Sequence, residues 1–347
     1  MTDVAGQTVL VTGATGFVGR ALCTHLAALG YSVRAAVRHA GVTQGMPVDE
    51  QLVIGLDAQT DWVTALAGVN MVVHLAARVH VMAEQSTDPQ TEFRRTNMQG
   101  TLRLAEQAVQ AGVRRFVYIS SIKAMGETTS AGQPFTEESP TVPLDAYGFS
   151  KLEAEMSLHK LAADTGLEVV IVRPPLVYGP GVKANFAALM RAVEYGVPLP
   201  LGAVHNARSL VSLSNLVDFI ATCMAHAQAA NQTFLVSDGQ DLSTTGLVRA
   251  MAQVAGVKAR LLSVPIWILE VVASLLGKRD VVQRLCGTLQ VDITKARTLL
   301  HWKPPVQVYD GLVGIRKVKK HEKPVKIQEY LVQKQAGDSM YMKNETS

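Results

Sequence analysis

The stretch Thr8–Gly19, TVLVTGATGFVG, decides how the rest of the chain is read. Its first residues are β-branched or apolar and read as a buried strand. Glycines follow at Gly13, Gly16 and Gly19, and GFVGRALCTHLAALG (16–30) then has helical character and stops at Gly30. A strand that turns through glycines into a helix presents backbone amides to an anion. Gly13 permits the tight turn, Gly16 lets the backbone approach a pyrophosphate, and Gly19 lets helix and strand pack closely. Spaced glycines alone are weak evidence; the strand–turn–helix context near the N-terminus makes the signal specific. Thr15, Phe17 and Val18 share this turn and join the candidate cofactor-binding residues.

Working outward, apolar runs alternate with helix-length segments. YSVRAAVR (31–38), LVIGLD (52–57), MVVHLAA (71–77), RRFVYISS (114–121) and LEVVIVRPP (167–175) read as strands. TEFRRTNMQGTLRLAEQAVQAG (91–112) and GFSKLEAEMSLHKLAADTG (148–166) read as helices. The strands lack strict alternation, as strands covered on both faces should. Regular alternation of β and α predicts an α/β, Rossmann-type doubly wound parallel sheet. After Pro174 the pattern loosens. RPPLVYGPG (173–181) reads as a turn-rich loop, NFAALMRAVEYG (185–196) as a helix, and VPLPLGAVHNARS (197–209) as irregular. LSNLVDFIATCMAHA (213–227) and TTGLVRAMAQVAG (244–256) are further helices, followed by DITKARTLLHW (292–302). VPIWILEVVASLLG (264–277) is apolar but contains Glu270 and is too short to span a bilayer, so a buried helix is expected. The expected division is a dinucleotide-binding domain over 1–175 plus about 209–238, a smaller mixed α/β C-terminal substrate lobe over about 176–208 and 239–312, and a basic, flexible tail over 313–347.

With 347 residues, 48% hydrophobic and 18% charged, the chain has the profile of a globular protein with a generous core. Cys23, Cys223 and Cys286 are far apart and lack C-x-x-C spacing, so neither a disulfide framework nor a metal site is expected. The nine histidines show no H-x-x-x-H pair. The N-terminus has no basic region ahead of an apolar run, so a cytoplasmic location is expected. The net charge of +4 resides in residues 315–347, which carry eight Lys/Arg against four Asp/Glu. The remainder is neutral, and no nucleic-acid partner is expected. RKVKKHEKPVK (316–326) reads as a solvated tail, with peripheral contact to an acidic membrane surface as the alternative.

Two positions bear on the cofactor. The second strand ends at Arg38, nineteen residues past Gly19, with no acid nearby. A carboxylate there suits the ribose hydroxyl of NAD, whereas arginine suits the 2′-phosphate of NADP. Arg38 therefore favours NADP over NAD, with Arg34 a weaker candidate; a solvated arginine is the plain alternative. Asp57 is either an acceptor for the adenine amino group or a local cap.

Tyr147 and Lys151 stand at i, i+4 on one helical face. A free phenol ionises at about 10. A neighbouring ammonium is expected to lower that value and make the pair a general acid–base.

TGATGFVG, HLAA (74–77), YISS (118–121), YGFSK (147–151) and RPPLVYGPG together resemble the extended short-chain dehydrogenase/reductase family over about residues 6–312. SSIKAMGE, ANFAALMRAV and LCGTLQVDITKARTLLHWKP are similar to its nucleotide-sugar branch, the UDP-hexose 4-epimerases and UDP-4-keto-hexosamine 4-reductases. The resemblance implies that Ser121 hydrogen-bonds the sugar oxygen, Tyr147 exchanges its proton, and Lys151 binds the nicotinamide ribose. It implies cofactor contacts at Leu75, Ala76, Ala77 and Pro174 and a structural role for Asn97. It places Arg208 on the UDP diphosphate, with Arg284 as a second candidate there, and Asn185 on the nucleotide; Lys123, just after the serines, is a substrate-binding candidate by position, with a solvent-facing side chain as the alternative. Met125 departs from a tyrosine common at that site, which leaves the sugar open. The resemblance implies an NAD(P)-dependent enzyme acting at C4 of a UDP-linked hexose or hexosamine. With Arg38, a 4-keto-sugar reductase is favoured over an epimerase with bound NAD. A steroid or flavonoid type reductase and a non-catalytic dinucleotide sensor are the other readings. A homodimer paired through helices 91–111 and 148–165 is also expected.

Overall fold

In the computed structural model, which describes residues 6–79, 88–130, 132–277 and 279–320, the strand read from TVLVT spans Thr8–Thr12 and is buried from Val9 onward. Val9 and Val11 enter one apolar cluster and Leu10 the opposite one. That is the behaviour of a strand covered on both faces. The strands are β1 (Thr8–Thr12), β2 (Ser32–Val37), β3 (Glu50–Val53), β4 (Met71–His74), β5 (Arg115–Ile119), β6 (Glu168–Arg173), β7 (Leu176–Tyr178), β8 (Leu210–Ser212) and β9 (Gln232–Leu235). Seven form one parallel sheet in the order β3-β2-β1-β4-β5-β6-β9, and β7 pairs with β8 in a second. The helices are α1 (Phe17–Ala28), α2 (Val63–Leu66), α3 (Pro89–Phe93), α4 (Gly100–Gln110), α5 (Ala146–Thr165), α6 (Ala184–Glu194), α7 (Leu213–Ala225), α8 (Thr244–Ala255), α9 (Ile266–Leu275), α10 (Arg279–Cys286), α11 (Thr294–Leu299) and α12 (Val308–Lys320).

Leu22 and Leu26 of α1 and Leu216, Phe219 and Ile220 of α7 cover one face of the large sheet. Leu104 and Ala108 of α4 and Ala154, Leu158 and Ala162 of α5 cover the other. The chain moves outward from β1 to β3, then restarts on β1's other side at β4. This reversal opens a crevice beyond the carboxyl ends of β1 and β4, where ligands of such sheets bind. A third cluster, with Phe186 and Met190 of α6, Val248 and Met251 of α8 and Leu312 of α12, is the core of the smaller lobe. Its junction with the sheet is polar and buried. The Tyr178 hydroxyl donates to Asp238 at 2.6 Å, Asp238 accepts from Ser212 N and Asn215 Nδ2, and the Asn215 side-chain oxygen accepts from Val306 N.

Several expectations shift. The third strand ends at Val53, so Asp57 lies beyond it; its carboxylate accepts from Gln59 N and Thr60 Oγ1, a local turn that draws the chain off the sheet. The helix expected over 91–112 is interrupted by a π segment, Arg94–Gln99, between α3 and α4. RPPLVYGPG contains β7, and the seventh sheet strand, β9, was not anticipated. The apolar helix α9 is not buried: Ala273 is its buried residue, while Trp267 is 64% and Leu275 83% exposed. The lobe core is closed by α6, α8 and α12, which leaves α9 at its rim. Residues 313–320 continue α12. The rest of the basic tail, and with it most of the segment considered for membrane contact, lies outside the described residues. Among the described residues no helix is long and apolar enough to cross a membrane.

Candidate active site

The crevice begins with the turn after β1. Gly16 N donates to Gly13 O at 2.9 Å, and Gly13 has φ 66. A side chain on Gly13 would come within 2.8 Å of Ala76 N, and one on Gly19 would overlap Gly13 O. Leu75 and Ala76, after β4, thus press against the turn from the neighbouring strand. Gly16 is the N-cap of α1 and provides no side-chain cap, so the first amides of the helix are left for another acceptor. This cradle, shaped for bare backbone and ending on an open helix N-terminus, fits a dinucleotide pyrophosphate. Thr15 is half-buried in the turn, while Phe17 and Val18 pack against the core. Arg38 is exposed past the end of β2. Arg34, the weaker candidate beside it, is bound within the protein: it meets Glu50 at 2.5 Å and the carbonyls of Ala65 and Ala67 at 2.9 and 2.7 Å.

Behind the turn runs a buried hydrogen-bonded chain. Thr12 and His74 are register partners on β1 and β4. The Thr101 hydroxyl donates to Asn97 O at 2.7 Å, so it accepts from His74 Nε2 at 2.9 Å. His74 Nδ1 then accepts from Thr12 Oγ1 at 2.6 Å, and Thr12 Oγ1 accepts from Ala76 N at 3.2 Å. Burial, with the Lys151 charge adding, holds the His74 imidazole down at about 3, so it stays neutral. Asn97, on the π segment, accepts from Arg78 N and donates to Arg78 O and to Ser150 Oγ. Ser150 Oγ in turn donates to Tyr147 O at 2.8 Å.

Tyr147 lies on the first turn of α5, which Asp145 caps through Gly148 N at 2.7 Å. Ser121, just past β5, hydrogen-bonds Tyr147 and opens the 3-10 turn Ile122–Ala124. Gly148 allows turn and helix to meet, because a side chain there would run into Lys123 O. Phe93 packs edge-on against the Tyr147 ring at 6.1 Å. Lys151 is buried; its Nζ donates to Ile119 O at 2.8 Å and lies 4.5 Å from the Tyr118 ring centroid and 5.9 Å from that of Tyr147. Pro174, after β6, is buried and accepts from Ile122 N.

The structure thus brings Ser121, Tyr147 and Lys151 together, but the electrostatics correct the expected phenol. Burial, reinforced by the Asp145 charge, pushes Tyr147 up to about 12, and the Ser121 hydrogen bond only partly opposes this. Burial also brings Lys151 down to about 7, against the pull of Glu155. In so dry a site burial outweighs the ammonium's attraction for phenolate, so Tyr147 stays a neutral phenol while Lys151 is left near the middle of its titration at neutral pH.

Of the expected substrate contacts, Lys123 is already paired. It meets Glu127 at 2.7 Å and Asp145 at 2.6 Å. Burial works against its charge, but these hydrogen bonds outweigh that and raise its pKa above the usual value. Arg208 donates to Gly287 O at 2.9 Å; burial lowers its pKa from the usual value, and the Glu127 charge opposes this. Asn185 is exposed on the first turn of α6, and Arg284 is exposed on the last turn of α10. Sequence reasoning missed Asp145, whose charge bears on Tyr147 and Lys123, Glu155, whose charge bears on Lys151, and the role of His74. Glu155 had a signal, since it extends the Tyr147–Lys151 spacing by one more turn. Among the described residues no group of His, Cys, Asp and Glu could hold a metal ion.

A family model described as the NAD dependent epimerase/dehydratase family matches residues 9–237. A UDP-glucose 4-epimerase of Vibrio cholerae is 49% identical over 310 residues, 88% of this chain and 93% of that protein. Among solved structures, MoeE5 in complex with UDP-glucuronic acid and NAD is 26% identical, with a TM-score of 0.72 over 91% of this chain and 100% of that one. A UDP-glucuronic acid 4-epimerase from Bacillus cereus in complex with NAD, at 22% identity, shares the fold with a TM-score of 0.73 over 90% of this chain and 99% of that one. The glycine cradle, the Ser121–Tyr147–Lys151 cluster and these matches agree, and the chain belongs to the NAD dependent epimerase/dehydratase family.

Proposed function

We propose that this protein is a UDP-hexose 4-epimerase that works with bound NAD. The observation that carries the reading is the 49% identity, over nearly the whole length, to the Vibrio cholerae UDP-glucose 4-epimerase. It reverses the order expected from the sequence, in which a reductase stood first. The preference for NADP rested on Arg38 and finds no support: the family model is described by NAD, and the structures of MoeE5 and the Bacillus cereus enzyme contain NAD.

NAD would rest its pyrophosphate on Gly13–Gly19 and its nicotinamide ribose near Tyr147 and Lys151, and when bound would supply a hydride acceptor and donor for C4 of the sugar. The chain's own residues manage the proton and the oxygen. Ser121 holds the C4 oxygen by a hydrogen bond. Tyr147 takes the hydroxyl proton as the carbonyl forms and returns it as the carbonyl is reduced. Its buried phenol resists ionisation, so the proton is held between half-reactions rather than lost to water. Lys151 stabilises the phenolate that Tyr147 must be before it takes the proton and after it returns it. Arg208 is proposed for the diphosphate. Helices 91–111 and 148–165 are proposed as a homodimer surface, supported by Met156 and Phe149 being 64% and 46% exposed on α5. A cytoplasmic setting suits a nucleotide-sugar substrate.

The test is conversion of UDP-glucose to UDP-galactose by the purified protein without added nicotinamide. Interconversion is expected, and Tyr147→Phe should lower its rate about 10²–10⁴-fold while the protein still retains NAD. No conversion of UDP-glucose or UDP-N-acetylglucosamine, with NADPH consumed on a UDP-4-keto sugar, would restore the reductase.

A further inference from the structure

The face of α5 that carries Tyr147 and Lys151 carries Glu155 one turn further on, again at i, i+4. Glu155 is 1% exposed and Lys151 2%. A carboxylate so deep requires a partner. Arg173, the last residue of β6, supplies it: its Nε lies 3.1 and 3.2 Å from the two carboxylate oxygens, and its Nη2 lies 2.5 Å from one of them. The fit is one-sided, because Arg173 Nη1 is buried with no acceptor among the described residues. Buried ion pairs of this kind rarely stabilise a fold more than apolar side chains of the same volume. The location of this one, a single turn from Lys151 and next to Pro174, points to the site instead.

The groups around Lys151 come from four elements. Tyr147 and Glu155 lie on α5, Tyr118 on β5, His74 on β4 and Arg173 on β6. Tyr118 is a buried phenol held neutral, first by burial and then by the Glu155 charge. His74 is neutral, and Arg173 is a cation. Glu155 is therefore the anion of this set, and burial would otherwise strip Lys151 of its proton.

We propose that Glu155, oriented by Arg173, is a positioning residue that keeps the buried Lys151 amine charged beside Tyr147. The inference rests on reading Tyr147 and Lys151 as the proton-handling pair of an epimerase. Glu155 touches no reacting atom; it acts through Lys151. Arg173 fixes the carboxylate and also competes with Lys151 for it, so removing Arg173 should not lower the Lys151 midpoint as removing Glu155 does.

The experiment follows the ε-carbon signals of ¹³C-labelled lysine against pH in the purified, NAD-containing protein, with the Lys151 signal assigned by Lys151→Met. Glu155→Gln should move the Lys151 midpoint down by roughly 1–2 pH units. Arg173→Gln should leave it in place or move it up, because Glu155 then faces Lys151 without a competing cation. The alkaline limb of kcat should follow the same directions, and Glu155→Gln should regain most of its activity below that limb. An unmoved midpoint in Glu155→Gln, or the same downward shift in both variants, would show a merely structural ion pair and overturn the proposal. Should Glu155→Gln not fold, Glu155→Asp, with its carboxylate withdrawn by one methylene, must give a smaller shift of the same sign. Because the titration needs no turnover, it judges Glu155 even if no UDP-sugar is converted.

Discussion

His74, sealed between Thr12 and Thr101, is a histidine that stays neutral, and this couples the fold to acidity. Its folded pKa is about 3 against an ordinary 6.5. Above pH 6.5 both folded and unfolded chains carry it neutral, and its contribution is complete. As pH falls from 6.5 towards 3, the unfolded chain takes up a proton that the folded one refuses, so stability drops. Between pH 7 and 5 this one group should remove about 2 kcal/mol. Urea unfolding at the two pH values checks it: His74→Gln should start less stable but lose less on acidification. Residues differ in how much of this was legible. Tyr147 and Lys151 could be read because their chemistry and spacing lie within one helical turn. The role of His74 could not, because its partners lie 62 and 27 positions away and meet it only through strand register, for Thr12, and the packing of α4, for Thr101. Nor could the rise in the Tyr147 pKa, since burial is a property of the folded site and not of the pair.

Among the elements, the contact of α5 with the turn after β5 sets the spacing of Ser121 and Tyr147. Gly148 is the point of approach, with Lys123 O and Pro143 where a side chain would be. Gly148→Ala should push the two apart. The expected result is a fall in kcat of roughly 10²-fold from misplacement, with about 1–3 kcal/mol of stability lost to overpacking; steady-state kinetics and thermal melting measure both. The long elements of the large sheet were legible because each apolar run was bounded by glycine or a helical period. The short ones were not. Expected over 52–57, β3 ends instead at Val53, since the turn at Asp57 competes with the ladder. In β7 three residues sit inside a proline- and glycine-rich stretch, and β9 follows Asn231, itself at φ 59. Both are held by pairing partners distant in sequence.

For the whole molecule, the parallel sheet and its two covered faces followed from the alternation of strands and helices, whereas the strand order came only with the structure. The place of α9 did not, because apolar content says that a helix is able to pack and not what it packs against. With the lobe core closed by α6, α8 and α12, Trp267→Ser or Leu275→Ser should change the unfolding free energy by no more than about 0.5 kcal/mol. Met251→Ala, in the lobe core, should cost about 2–5 kcal/mol. Parallel urea titrations distinguish the two. The hydrogen-bonded chain from Ala76 through Thr12, His74, Thr101, Asn97 and Ser150 to the carbonyl of Tyr147 also has a mechanical consequence. It makes the floor of the phosphate cradle and the mount of the phenol one rigid track, so a load applied where a dinucleotide docks is felt where the proton is aimed.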